Sequence, residues 1–162
     1  YITYSYFKEN YGVPLSVVKT SNMEALAKAT MTALGKFRSD FTYPKEAPVN
    51  QCIYYYNEVC STYRPAMYDI RDFMFRNLTT EDFNTWDKVF QNTVVYSVHP
   101  VKYWYTEYSI NFNDFVMADD NFGGMSIYVP RACYKTLEMN EAIMSMEWTK
   151  IVDWSKWGWN RS

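Results

Sequence analysis

An α/β fold is what this 162-residue sequence predicts, and three stretches predict it. The first is Gly123-Gly124-Met125-Ser126-Ile127-Tyr128-Val129-Pro130, where Met125, Ile127 and Val129 alternate with Ser126 and Tyr128 between breakers. Period-two alternation of β-branched and aromatic residues is a strand pattern. Glycines ahead of it mark a bulge or a close backbone approach. The second is Leu15–Thr20, a short β-branched strand, followed by Ser21-Asn22-Met23-Glu24 at the spacing of a capping box. Behind that box Leu26, Thr30, Ala33, Leu34 and Phe37 recur at helical spacing, which makes strand plus helix half of a βαβ unit. The third is a helix opened by Thr80, Glu81 and Asp82, with Phe83, Trp86 and Phe90 on one face, running into a strand over Thr93–Val98. Leu15–Val18 and Val94–Val98 are short apolar runs, the pattern of parallel strands buried on both faces.

The remaining elements follow in order. Tyr1–Tyr11 is open between helix and strand, with the end of a helix preferred, stopped by Gly12 and Pro14. Ser39–Pro65 is too long for a bare loop, so a short element is expected around Cys52–Tyr56. Tyr68–Met74 reads as the start of a short helix, Val101–Phe115 as a hairpin or edge strand, and Asp119-Asp120-Asn121 as a turn. A helix of about 14 residues is expected from Asn140, with Ile143, Met146, Ile151 and Trp154 on one side. It runs into Trp154-Ser155-Lys156-Trp157-Gly158-Trp159.

Composition narrows the function classes. The length fits a single unit over residues 1–162 with a sizeable core. A net charge of −2 argues against electrostatically driven nucleic-acid binding. No apolar stretch approaches the roughly 20 residues of a transmembrane helix, and no basic amphipathic helix suggests a membrane surface. Aromatics make up 20% of the chain, with 16 Tyr, 10 Phe and 6 Trp. Such content suits either a π-rich surface for sugars or peptides, or a thick core with Tyr hydroxyls at its rim. The chain opens in mid-pattern at Tyr1-Ile2-Thr3-Tyr4, which reads as a fragment or a processed chain.

Few residues could carry chemistry. A Cys–His pair needs a thiolate and an aligned imidazole, but His99 sits at a strand end before Pro100, and nothing local activates Cys52, Cys60 or Cys133. Three scattered thiols and one imidazole lack a zinc spacing, so no metal site is expected. Cys52 and Cys60 could close a small disulfide loop, although the odd cysteine count weighs against it. Asp119, Asp120 and Asn121 lack the spacing of a calcium loop. Asp69 and Asp72 lie three apart, and a solvated helix start accounts for both. The tryptophan cluster is either a stacking site or the anchor of a terminal segment. No catalytic residue is assigned, and substrate-binding residues are left open.

The element order resembles a known family. The Leu-Ser strand, the Ala/Leu-rich helix, Tyr68-Asp69-Ile70-Arg71-Asp72-Phe73, the helix into Thr93-Val94-Val95-Tyr96, the Gly124–Pro130 strand and a Trp-rich terminal helix resemble the C-terminal half of clostripain-like cysteine peptidases, family C11 of the caspase-like clan. Gly124–Pro130 is similar to that family's G-[LMV]-S-[IV]-Y-[IV]-P strand, and Tyr68-Asp69-Ile70 to its Y-D-[LI] segment. The resemblance covers nearly the whole chain through short motifs of structural character. It implies part of a caspase-like three-layer sandwich, a mostly parallel sheet between helices, with a His–Cys dyad at strand C-terminal ends. Neither dyad motif occurs here: His99 precedes Pro100, and Cys133 follows a late strand. The resemblance therefore implies a complementary N-terminal chain that carries the dyad and the acidic groups reading a basic P1 residue. Tyr1 does not match the family's usual internal cleavage point.

Three functional readings follow. The first is the non-dyad C-terminal part of an Arg/Lys-directed cysteine endopeptidase, inactive alone, with no cofactor beyond a calcium ion that the resemblance allows. The second is an aromatic-rich glycan- or peptide-binding module. The third is a catalytically dead clostripain-like scaffold. The resemblance places the protein outside the cytoplasm of a bacterium. It also implies that the Leu15–Lys19 strand has a neighbour outside the chain, unless a later segment takes that place.

Overall fold

The computed structural model describes residues 11–12, 15–38, 52–53, 67–99, 103–104, 121–130 and 144–158. In chain order the described elements are strands β1 (Tyr11–Gly12) and β2 (Leu15–Val18), a 3-10 turn (Thr20–Asn22) and helix α1 (Met23–Leu34). Strand β3 (Met67–Asp69), helices α2 (Ile70–Asn77) and α3 (Thr80–Thr93) and strand β4 (Val94–Val98) follow. Strands β5 (Tyr103–Trp104) and β6 (Ser126–Tyr128), helix α4 (Glu147–Ile151) and a second 3-10 turn (Trp154–Trp157) complete them. The expectations for Tyr1–Asn10, most of Ser39–Pro65, most of Val101–Phe115, Asp119-Asp120, Cys60, Cys133 and Trp159 lie outside the described residues.

Helix α1 buries Leu26, Ala27, Thr30, Ala33 and Leu34, the face its periodicity predicts. Its start differs from the expected capping box. Ser21 falls inside the 3-10 turn, Asn22 holds the cap position without a capping side-chain bond, and Glu24 pairs with Lys28 instead. The Asn22 side-chain amide donates to the Asn92 carbonyl at 2.8 Å, and the Lys19 N–H donates to the Thr93 carbonyl at 2.8 Å. The beginning of α1 is thus tied to the end of α3, where orphan carbonyls need donors. Helix α3 begins one residue earlier than expected, with Thr79 accepting from the Asp82 N–H. Its Phe83, Trp86 and Phe90 are buried as the spacing predicts. The Trp86 indole stacks on Phe90 at 5.1 Å and donates to the buried Thr30 hydroxyl at 3.1 Å, joining α3 to α1.

The sheets correct the expected topology. Among the described residues β1 pairs β5 in parallel, but β2–β4 and β3–β6 are antiparallel. A mostly parallel sheet is therefore not what these strands form. The later segment β4 supplies the neighbour of β2, so β2 does not require one from outside the chain. Nor are these two strands buried on both faces: Leu15 is 45% exposed, Val17 54% and Tyr96 58%. Apolar composition suits a pleated surface of either kind, and burial depends on what lies across it.

Strand β6 behaves as its pattern predicts, with Ile127, Tyr128 and Val129 buried. It is hydrogen-bonded to β3, with Tyr68 opposite Ile127 and Asp69 opposite Ser126. Tyr68 and Asp69 are thus strand residues, and the helix expected from Tyr68 begins at Ile70. Residues 140–143 of the expected terminal helix lie outside the described ones, and among those described the helix is interrupted after Met144. Met146 is extended and α4 covers only Glu147–Ile151 before the 3-10 turn. Trp154 is buried in the common core with Phe73, Ile70, Leu26, Leu34, Ile127 and Val129, so it serves as an anchor. No described helix is long and apolar enough to cross a membrane.

Candidate functional site

Strand β3 ends at Asp69, whose side chain is fully buried and organises the junction of β3, α2 and the glycine pair. One oxygen accepts from the Arg71 and Asp72 N–H groups at 2.9 and 3.0 Å, satisfying two orphan donors at the start of α2. The carboxylate also accepts from the Gly123 N–H at 3.0 Å and the Gly124 N–H at 3.0 Å. Four backbone donors from two segments far apart in sequence thus converge on one anion. Backbone bonds from Asp69 N–H to the Ile53 carbonyl (2.8 Å) and from Ile70 N–H to the Met125 carbonyl (2.9 Å) lock the same junction.

The two glycines are there for space and conformation. A Cβ on Gly123 would lie 2.6 Å from the Arg71 Cβ and 2.8 Å from Phe90 Cζ. Gly124 has φ of 76°, a left-handed conformation. A Cβ there would lie 2.7 Å from the Ser97 Cβ and 3.0 Å from the Ser16 Cβ. The close backbone approach that the glycines predict is therefore made by Gly124 against the β2–β4 ribbon.

Asp72 is fully buried as well, accepting from the Ile53 N–H at 2.7 Å and from Arg76 Nε at 2.9 Å. Neither carboxylate belongs to a solvated helix start, which corrects that expectation. The Arg71 guanidinium pairs with the buried Asp87, with bonds of 2.8 and 3.1 Å, and packs over the Phe83 ring. Gln91 donates to the same Asp87 carboxylate. These carboxylates hold backbone and arginine donors already, and among the described residues no group of three or more His, Cys, Asp and Glu could hold a metal ion.

Of the candidate chemical residues, Cys52 and His99 are among the described ones. Cys52 is buried, and burial, followed by the neighbouring Asp72 charge, pushes its thiol up to about 12. Such a thiol carries almost no thiolate at neutral pH and cannot act as an activated nucleophile. His99 is half-buried with its ring edge-on to Phe122 at 4.8 Å. Asn121, the described residue of the expected turn, does lie in a turn, with its side chain buried. Trp154 and Trp157 face each other at 5.8 Å, with Trp154 facing the core.

The Asp69 junction escapes a reading of periodicity, because Tyr68–Met74 looks helical throughout. The available signal was Asp69 with Asp72 three residues on, the spacing of a helix N-cap. The long-range half of the site, Asp69 to Gly123 and Gly124, leaves no local trace.

No family model matches the sequence, and no curated protein matches it. Solved structures do. An inactive zymogen C11 protease from Parabacteroides distasonis is 25% identical, with a TM-score of 0.67 over 92% of this chain and 40% of its own. A B. fragilis cysteine protease is 26% identical, with a TM-score of 0.68 over 91% of this chain and 56% of its own. A secreted C11 cysteine protease from Bacteroides thetaiotaomicron, solved with an irreversible peptide inhibitor, shares the fold at 20% identity and a TM-score of 0.62. It is covered over 36% of its length. The chain thus spans between about a third and just over half of these proteins. Over about 90% of its length the chain is similar in fold to C11 clostripain-like cysteine proteases, and it matches only part of theirs.

Proposed function

We propose that this chain is the non-dyad part of an Arg/Lys-directed cysteine endopeptidase, completing the sheet and supporting an active site carried by a complementary N-terminal part. The observation that carries the reading is the fold match over nine-tenths of this chain against only 36–56% of the matched proteases. The burial of Cys52, with its thiol near 12, supports placing the nucleophile elsewhere. A thiolate attacking a peptide carbonyl needs an aligned imidazole, an oxyanion site and a pocket fixing the P1 residue. In this reading the partner supplies those groups, and this chain supplies a rigid wall. Its Asp69 junction would hold β3, α2 and the Gly123–Pro130 strand in one fixed arrangement. The same reading carries a caspase-like three-layer sandwich in the assembled protein, a Trp-rich terminal segment as its anchor, an extracytoplasmic location and an optional calcium ion.

The test begins with the parent reading frame. An upstream His-Gly and Asp-x-Cys pair is expected, and the assembled protein should cleave peptides after Arg or Lys. A Lys- or Arg-chloromethylketone should label a cysteine outside residues 1–162. A stoichiometric adduct on Cys52, Cys60 or Cys133 would overturn the proposal. Loss of the upstream pair would leave the inactive scaffold, and an unrelated upstream region the binding module.

A further inference from the structure

The face of β6 next to α4 borders a solvent-open cavity of about 220 Å³ that the peptidase reading does not use. Its walls come from four places in the chain: Met23 at the start of α1, Met67 on β3, Met125 just before β6 with Ile127 on it, and Met146 and Trp148 at α4. Four methionines from separate segments meet there, in a chain that has nine. No charged side chain lines it. The Thr149 hydroxyl on its wall is already spent on the Met146 carbonyl at 2.9 Å. Met146 is among the exposed large apolar residues, so the cavity reaches solvent on that side.

We propose that this cavity is a binding site for an uncharged aromatic ring of benzene to indole size. An apolar cavity of about 150 Å³ stays dry and takes up benzene, so this one has room for a somewhat larger ring. Methionine side chains reshape around a guest, and their sulfurs make favourable contacts with ring edges. Trp148 adds an aromatic wall. The absence of a lining cation or anion leaves nothing to offset the desolvation of a charged ligand. A neutral ring is therefore favoured over its carboxylated analogue. The site does not depend on the peptidase reading.

The test follows the methionine methyl groups of the 13C-methyl-labelled chain by NMR, assigned through single Met→Leu variants. Titration with indole should shift the methyls of Met23, Met67, Met125 and Met146 saturably and leave the other five nearly unmoved. Indole-3-acetate should bind at least about tenfold more weakly, a difference of about 1.4 kcal/mol. Filling the cavity with Met67→Phe, or with Met146→Phe at the exposed side, should weaken indole by a similar factor. N-acetyl-tryptophanamide separates the sources of the ring. Binding like indole supports a side chain carried on a peptide, and binding by indole alone supports a free small aromatic. The proposal is overturned by the absence of saturable shifts, by equal shifts at all nine methyls, or by unchanged indole affinity in both Phe variants.

Discussion

Strands β6 and β2 are written in similar residues, Ser126-Ile127-Tyr128 and Leu15-Ser16-Val17-Val18, yet they end in opposite environments. Ile127 is 1% exposed while Val17 is 54% exposed, and both strands are hydrogen-bonded in antiparallel pairs. The difference lies in what covers them. The β3–β6 pair is held against α2 by a carboxylate that accepts four backbone N–H groups, and its apolar side chains join the common core. The β2–β4 ribbon meets the rest of the molecule on the face of Ser16 and Ser97, against Gly124, and leaves Leu15, Val17 and Tyr96 exposed. Strand composition thus sets the pleated form, and the polar junction beneath it decides which ribbon is sealed.

That contrast can be broken most severely at Asp69. Asp69→Ala would leave four buried or half-buried N–H groups without their acceptor and should cost about 3–5 kcal/mol in a denaturant titration. A loss below about 1 kcal/mol would show that water or a neighbour replaces the carboxylate. Ile127→Ala comes next, at about 2–4 kcal/mol from transfer and cavity terms. The same truncation at Val17 should stay within about 0.5 kcal/mol. Equal losses at the two positions would erase the distinction between the ribbons. Gly123→Ala should cost about 1–3 kcal/mol by driving a methyl into Arg71 and Phe90. Wild-type stability in that variant would mean that the glycine pair gives way easily.

A pH-dependent effect concerns the thiol beneath the junction. The folded state holds Cys52 protonated up to about 12, above its ordinary value of 9.0. The raised folded value means that its contribution is complete below about 9 and is lost as pH rises toward about 12. Across that window the wild type should lose up to about 1.4 kcal/mol per pH unit relative to Cys52→Ala. Parallel stability–pH curves for the two proteins would contradict the buried thiol. The smallest effect is expected at the exposed Lys36–Asp82 pair, 2.6 Å apart. The hydrogen bond from Lys36 holds the Asp82 carboxyl below its usual range. Lys36→Met should raise the Asp82 titration midpoint by NMR without moving the unfolding midpoint, because exposed pairs are screened by water and salt. A clear drop in stability would mark this surface pair as structural.

Local pattern made the helices legible. Leu26, Thr30, Ala33 and Leu34 on α1 and Phe83, Trp86 and Phe90 on α3 occupy the buried faces that their spacing predicts. The capping box at Ser21 failed because Asn22 reaches the end of α3, a partner 70 positions away. Apolar spacing over Ile143–Trp154 predicts one unbroken helix because it says nothing of the extended residue Met146, which interrupts it. The candidate site was half legible, in the Asp69–Asp72 cap spacing and the Gly123-Gly124 pair, each visible alone.

By itself the sequence determined the α/β class, the buried faces of α1 and α3, the β6 strand and the need for glycine ahead of it, since each follows from period, propensity or sterics within a few residues. Only the tertiary structure decided that β2 and β4 pair antiparallel and stay exposed, that Asp69 and Asp72 are buried, and that Asp69 binds the glycine pair 54 and 55 positions away. Those outcomes depend on which surfaces meet and which backbone donors lose water when they do, and that is fixed by the whole packed chain rather than by any local window.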